Sequence, residues 1–522
     1  MRNTEASQVR PLPAVAVRIW PTLLGLAFLA AGLWRLDDVP AWWDEGWTLS
    51  VARTWVEHGV YGRLLDGRVV GPGLQADFTV TAPVALMMRL FGVGLWQGRL
   101  FGLLCMAATL GLLFLLGRRL YGGRVAGVGL GLLLLATSGR TNLHPLLIGR
   151  QVLAEPLMML ATVAGLFCLL RGLEGRRWWL AASVLCWGLG LNSKAQLLPF
   201  WLAALLLPLG LCLLTKRWRL SRLLALQFGG GLLAWRAIQL ARDALLAGQT
   251  LPGQPLNGLY QVTGFVLSAH SRVIALLTLA LVVPTLLGLG YALWRAWQER
   301  ACIGEPAALV RLVLLCMVAS WAAWFALLSA GYDRYLFPVV LLGSLYPALL
   351  LERLTGGFDL NQTVQRMAGV LRPGGRTRGA LALWVAALVL VLTAIQTAQA
   401  FAANYVPSSA RADYAAAEFL NTQTPPGARI ETYDTELHVL LQRPYHYPPD
   451  QLHIELNRRV MGLPNTADAY DPLSADPDYL VDGPFSSWWR LYEPALASGQ
   501  FRLVYHNQRY DVYQRVRPAP GG

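Results

Sequence analysis

The chain has 522 residues, of which 55% are hydrophobic and only 14% charged, well under the quarter or so of charged residues usual in soluble domains. Lys and Arg outnumber Asp and Glu by 44 to 30, but the arginines are scattered through short segments between apolar runs, which excludes a concentrated nucleic-acid-binding face. Six cysteines (Cys105, Cys168, Cys186, Cys212, Cys302 and Cys316) lie in or beside apolar segments with no CxxC spacing, so neither a disulfide framework nor a structural zinc site is indicated.

The first apolar segment, Val15 to Trp34, follows Arg2, Arg10 and Arg18. We read it as an uncleaved anchor with its basic end inside, because many further spans follow and no small-x-small cleavage site precedes Arg35. The segment from Arg35 to about Thr81 is then outside. A helix needs about 20 mostly apolar residues to cross a bilayer. Further spans are predicted at Arg99–Leu116, Arg124–Ser138, Gln151–Leu170, Trp178–Leu191, Leu197–Leu214, Leu223–Leu240, Val273–Trp294, Leu309–Ser329, Tyr335–Leu351 and Ala380–Ala400. Pro83 to Leu95 is too short to span and reads as an interfacial or re-entrant helix.

About eleven spans send the carboxyl end outside, and the loop charges agree. Each predicted inner loop is basic: Arg118, Arg119 and Arg124; Arg171, Arg176 and Arg177; Lys216, Arg217, Arg219 and Arg222; Arg295 and Arg300; and Arg353, Arg366, Arg372, Arg376 and Arg378. That is the asymmetry the positive-inside rule requires.

From Phe401 the composition turns to Asp, Tyr, Pro, Gln and Asn. Helices are predicted at Asp413–Thr422 and Trp488–Ala497, and strands at Arg429–Thr432, Tyr479–Val481, Phe501–Tyr505 and Tyr510–Gln514. The expected fold is a polytopic α-helical membrane protein, with a transmembrane domain over 1–400 and a small extracytoplasmic α/β domain over 401–522.

Asp44 and Glu45 stand together in Ala-Trp-Trp-Asp-Glu-Gly-Trp, just outside the first span. Such a pair can be a solvated loop beside an interfacial tryptophan belt, or it can have a chemical role, since acids at a membrane face usually need partners or a function. Several further motifs follow in order: Thr81-Ala82-Pro83 opening an apolar helix, Gly92 leading to Arg99-Leu100, Glu155 after Gly149-Arg150-Gln151, Gly190-Leu191-Asn192-Ser193-Lys194, and Arg334-Tyr335-Leu336-Phe337-Pro338. Together with the acidic pair and a helix at Thr48–His58 they cover about 400 residues. The set resembles the GT-C glycosyltransferases, in particular the group of protein O-mannosyltransferases and the aminoarabinose transferase of lipid A. The sequence departs from that group at Gly46-Trp47, where aminoarabinose-type members carry an arginine and the nearest here is Arg53. It departs again at Ala82-Pro83 in place of Pro-Pro.

The resemblance implies an inverting transfer of a monosaccharide from a polyprenyl-phosphate donor to an acceptor hydroxyl on a protein, lipid or glycan, at the outer face of an inner or plasma membrane. The catalytic carboxylates would be Asp44, Glu45 and Glu155, with Asp44 the base. Arg53, Arg150, Lys194, Arg334 and Tyr335 would hold the donor phosphate, because guanidinium offers a planar fork and ammonium a point charge.

The residue types admit other readings. Arg150 and Lys194 can snorkel to headgroups, Arg334 can pair with Asp333, and Glu155 can simply favour a helix N-terminus. No cofactor is expected, although Asp44, Glu45 and Glu155 are oxygen donors of the kind a divalent ion takes. His438, His446 and His453 match no zinc spacing and suggest a binding surface near the site. A transporter or flippase would need ionisable residues at mid-span; here Arg236 is the main one. A catalytically inactive scaffold of the same fold is the third reading.

Overall fold

The computed structural model describes residues 14–253, 255–299, 304–368, 377–406, 409–464 and 470–517. Arg2, Arg10, Arg300, Cys302, Arg372 and Arg376 lie outside them. Among the described residues six helices are long and apolar enough to cross a membrane: Leu95–Tyr121, Glu155–Leu173, Ala195–Leu214, Trp218–Leu245, Pro306–Leu328 and Gly379–Tyr405. Two bent pairs of helices bring that number to as many as eight.

The bent pairs correct two of the predicted straight spans. Ala269–Ala280 and Val283–Gln298 meet at 85°, and Asp333–Gly343 and Leu345–Thr355 at 49°. Proline lacks the N–H that would bond the carbonyl four residues back, and its ring crowds that carbonyl. Pro284 addresses Ala280 and Pro347 addresses Gly343, the residues at which the two first arms end. Pro208, by contrast, sits inside Leu198–Leu214 without ending it.

Between the first two apolar helices the chain forms the helix Trp43–His58, a hairpin of β1 (Arg63–Leu65) and β2 (Arg68–Val70), and the helix Phe78–Phe91. The hairpin was not among the expected elements. Its turn residues Asp66 and Gly67 both lie in the left-handed region, at φ 50° and 71°, as an Asp-Gly type I′ turn requires.

The tail forms the helix Ala412–Gln423 and a five-stranded sheet: β3 (Ile430–Thr432), β4 (Tyr445–His446), β5 (Tyr479–Asp482), β6 (Phe501–His506) and β7 (Asp511–Arg515). The order is β4-β3-β5-β7-β6, with β3 parallel to both neighbours and β7 antiparallel to both of its own. The single helix expected over Trp488–Ala497 is two short ones, Pro484–Trp489 and Glu493–Ala497. Between them Arg490 turns left-handed at φ 54°. Pro494 again addresses the residue four back, which is Arg490.

The tail rests directly on the acidic helix. Trp43 Nε1 donates to the Tyr433 carbonyl at 3.0 Å, and the Thr435 hydroxyl donates to the Trp43 carbonyl. Arg63 grips Asp450 through both terminal nitrogens, at 3.1 and 2.9 Å. The approach is closest at Gly46, where a Cβ would stand 2.1 Å from the Thr435 carbonyl oxygen. In a free helix Gly→Ala stabilises by about 1 kcal/mol. Here Gly46→Ala is expected to destabilise instead, by about 1–3 kcal/mol, read as a lower unfolding temperature of the purified protein. An unchanged or higher temperature would show that the tail does not rest on this helix.

Candidate active site

Asp44 and Glu45 occupy the first turn of Trp43–His58 but point to different partners, because adjacent helical residues are turned about 100° apart. Glu45 is fully buried. Its oxygens accept from Arg99 Nε and Nη2, both at 2.9 Å, from the Val152 amide at 3.0 Å and from the Trp42 amide at 2.8 Å. Both carboxylate oxygens are thus taken up by partners within the protein.

Asp44 faces a cavity of about 1400 Å³, and its side chain is 37% exposed. Its Oδ2 accepts from Arg334 Nη1 at 2.6 Å and from Trp42 Nε1 at 2.8 Å. Arg334 Nε lies 3.2 Å from Glu155 Oε1, and the same oxygen accepts from Lys194 Nζ at 2.5 Å. Tyr335 closes the group, its ring centroid 5.2 Å from Lys194 Nζ and 5.7 Å from the Arg334 guanidinium. Four charges of alternating sign thus form one chain, Asp44–Arg334–Glu155–Lys194, drawn from four separate segments. The quartet also borders a second cavity of about 390 Å³, so Asp44, Lys194 and Arg334 line both spaces.

The remaining expected residues stand outside the quartet. Arg53 pairs with Glu57 at 2.8 Å and donates to the carbonyls of His438, Val439 and Leu441, which makes it a clamp on the tail. Arg150 lines the larger cavity, but it is held by the carbonyls of Trp34 and Arg35 at 3.1 and 2.6 Å and lies 4.5 Å from the Tyr405 ring. Asp333, the alternative partner of Arg334, accepts from Asn142 and from the Arg334 backbone amide. No three His, Cys, Asp or Glu side chains among the described residues are grouped to hold a metal ion; an arginine stands between Asp44 and Glu155 where a shared cation would sit.

Of His438, His446 and His453, only His453 lines the cavity. It stacks on Trp43 at 4.2 Å, and its Nδ1 meets the Tyr433 hydroxyl at 2.8 Å. Burial lowers it to about 4 despite the nearby Asp44 charge, so it is neutral at pH 7. Trp42 and Arg99 fell within motifs named from the sequence but were given no role there, and Tyr433 was not named. Arg99 carries a readable signal, a lone charge near the start of an apolar span; the other two carry none.

Residues 79–236 match the family model described as dolichyl-phosphate-mannose-protein mannosyltransferase. ArnT from Cupriavidus metallidurans bound to undecaprenyl phosphate superposes with a TM-score of 0.64 at 16% identity, over 96% of this chain and 98% of that one. The chain has the GT-C glycosyltransferase fold. The GT-C likeness extends to the oligosaccharyltransferase AglB from Archaeoglobus fulgidus in complex with an inhibitory peptide and a dolichol-phosphate, with a TM-score of 0.54 at 11% identity over 97% of this chain and 75% of that one. No curated protein matches the chain.

Burial alone would raise the Asp44 carboxyl, but the Arg334 guanidinium holds it below the ordinary aspartate value of 3.8. Its charged form is therefore fully present above that value and is lost only as pH falls through a lower one. For any activity that needs the Asp44 carboxylate, the acid limb of kcat/KM is expected below about pH 4. An Asp44-dependent limb near pH 6 in the rate profile would contradict this.

Proposed function

We propose that the chain transfers a monosaccharide, with inversion, from a polyprenyl-phosphate donor to an acceptor hydroxyl at the outer face of the membrane. The observation that carries this reading is the quartet Asp44–Arg334–Glu155–Lys194 in the wall shared by two cavities. The undecaprenyl phosphate of the ArnT structure and the dolichol-phosphate of the AglB structure support the donor class.

A sugar linked to a lipid phosphate already carries its leaving group. The protein therefore supplies a base for the acceptor hydroxyl and cations for the departing phosphate. Asp44 is the base, and Arg334 and Lys194 are the cations, with Tyr335 packed beneath them. Glu155 holds both cations at one place, and Glu45 anchors the helix that carries Asp44. In the resting arrangement Arg334 occupies Asp44. A donor phosphate competes for Arg334 and Lys194 and so releases the Asp44 carboxylate to accept a proton from the acceptor. Displacement by one base without a covalent intermediate inverts the anomeric centre.

Asp44→Asn keeps the size and the tryptophan contact but cannot take a proton. A loss of about 10²–10⁴-fold in transfer is expected, measured with radiolabelled polyprenyl-phosphate sugars on protein of unchanged unfolding temperature. Arg334→Lys and Lys194→Ala are expected to raise KM for the donor more than KM for the acceptor, because a point charge does not replace two parallel bonds to phosphate. Near-normal turnover by Asp44→Asn, or unaltered donor kinetics in both cation variants, would sink the respective assignments.

The topology belongs to the same proposal. With the shorter apolar helices Thr22–Leu33 and Gly123–Leu135 and the helix Trp178–Ser193 counted as spans, the chain crosses eleven times and its tail domain lies outside. A reporter fused at the carboxyl end should be active only if its activity requires the outer compartment; cytoplasmic activity would reverse the orientation.

A further inference from the structure

The tail turns one face of aromatic rings toward the larger cavity. Phe485, Trp488 and Trp489 line it from the segment Pro484–Trp489, opposite Trp42 from the acidic loop. Trp488 is 58% exposed and Trp42 41% exposed, which leaves much apolar ring surface in water. Neither ring is loosely held. Trp488 stacks on Trp489 with centroids 5.1 Å apart and planes 25° from parallel. Trp42 is fixed by its bond to Asp44 and meets Phe485 edge-on at 5.0 Å.

The segment beneath is anchored by Asp434, which is fully buried. Its carboxylate accepts from the Gly483 and Phe485 amides at 3.1 and 2.8 Å and from the Ser486 hydroxyl at 2.6 Å. A Cβ on Gly483 would lie 2.5 Å from the Asp434 carboxyl carbon, so the segment is seated directly on that carboxylate. The same cavity is lined by Gln151 and Gln196, and Gln151 Oε1 and Gln196 Nε2 are buried without a hydrogen-bond partner.

We propose that this aromatic ledge is the acceptor subsite and that the acceptor is a saccharide, one pyranose ring of which stacks on Trp488. A pyranose offers an apolar face of C–H groups to a flat ring, while its equatorial hydroxyls at the rim match planar amides with unused donors and acceptors. A peptide taken by strand addition would need an exposed strand edge, and among the described residues no strand residue lines the cavity. Trp42 places the ledge beside the reacting centre, because its indole N–H bonds the oxygen of Asp44 that also meets Arg334. A ring on the ledge therefore lies in the same cavity as the base.

The inference rests on the transferase reading for its orientation, but it is tested by binding alone. Full-length protein in lipid nanodiscs, without donor, is probed by saturation-transfer NMR with neutral oligosaccharides (manno-, malto- and chito-series) and with short Ser/Thr peptides as the comparison. Saturation is expected on ring C–H protons of at least one saccharide series. Trp488→Ala should weaken that binding about tenfold, in line with the loss of one aromatic stacking contact. Trp488→Phe keeps a flat ring and should retain most of it, which separates stacking from misfolding. Absence of saturation on every saccharide, saturation that survives Trp488→Ala unchanged, or Trp488-dependent saturation of the peptides alone would each overturn the proposal. Saccharide binding by a protein that transfers no sugar once polyprenyl-phosphate donor is added would leave the ledge standing and remove the catalytic reading instead.

Discussion

The buried ion pair between Glu45 and Arg99 is the constraint on which the site's geometry depends. Both side chains are almost wholly out of water, at 1% and 2% exposure. Such a pair contributes little over an apolar substitute, yet losing one partner strands a buried charge and costs about 3–5 kcal/mol. Four segments meet at this pair. Glu45 belongs to the acidic helix and accepts the Val152 amide just before the Glu155 helix. Arg99 stands at the head of a long span and donates to the carbonyls of Leu36 and Val39 in the loop that delivers Asp44. With those segments fixed, Asp44 and Glu155 can be bridged by a single arginine.

The quartet answers an electrostatic problem that the resting protein and the transferring protein share. Buried charges need compensation at all times. Without substrate the two carboxylates compensate the two cations, and the wall between the cavities is neutral. In the proposed reaction a donor phosphate takes over part of the work that Asp44 does for Arg334. Glu155 remains with Lys194, so the cations are not released as the base is. The arrangement needs no element of the fold to move far, only an exchange of partners at Arg334.

Much of this was legible in the sequence where cause and effect are close along the chain. Three prolines each mark the residue four positions earlier as a place where a helix ends: Ala280, Gly343 and Arg490. Those breaks correct the straight spans predicted across Val273–Trp294 and Tyr335–Leu351 and the tail helix over Trp488–Ala497, although Pro208 shows that a proline alone does not end a helix. The Asp66-Gly67 hairpin was readable in the same way. The ordered motifs around Asp44, Glu155, Lys194 and Arg334 named the four residues that the fold brings together. Contacts between distant residues could not be read from one sequence. Nothing in the sequence distinguishes Glu45 as an anchor from Asp44 beside it, or shows that Arg53 reaches the carbonyls near His438.

The contact of Gly46 with Thr435 binds together the histories of two parts of the chain. A helix residue without a side chain and a turn almost four hundred positions later occupy one steric envelope, so neither can be exchanged alone. A tail borrowed from another protein of this fold would have to bring a turn with the same backbone path, or the acidic helix would have to be borrowed with it. The unit of inheritance at this site is therefore the helix together with its cover, although the bulk of the membrane-embedded chain lies between them in the sequence.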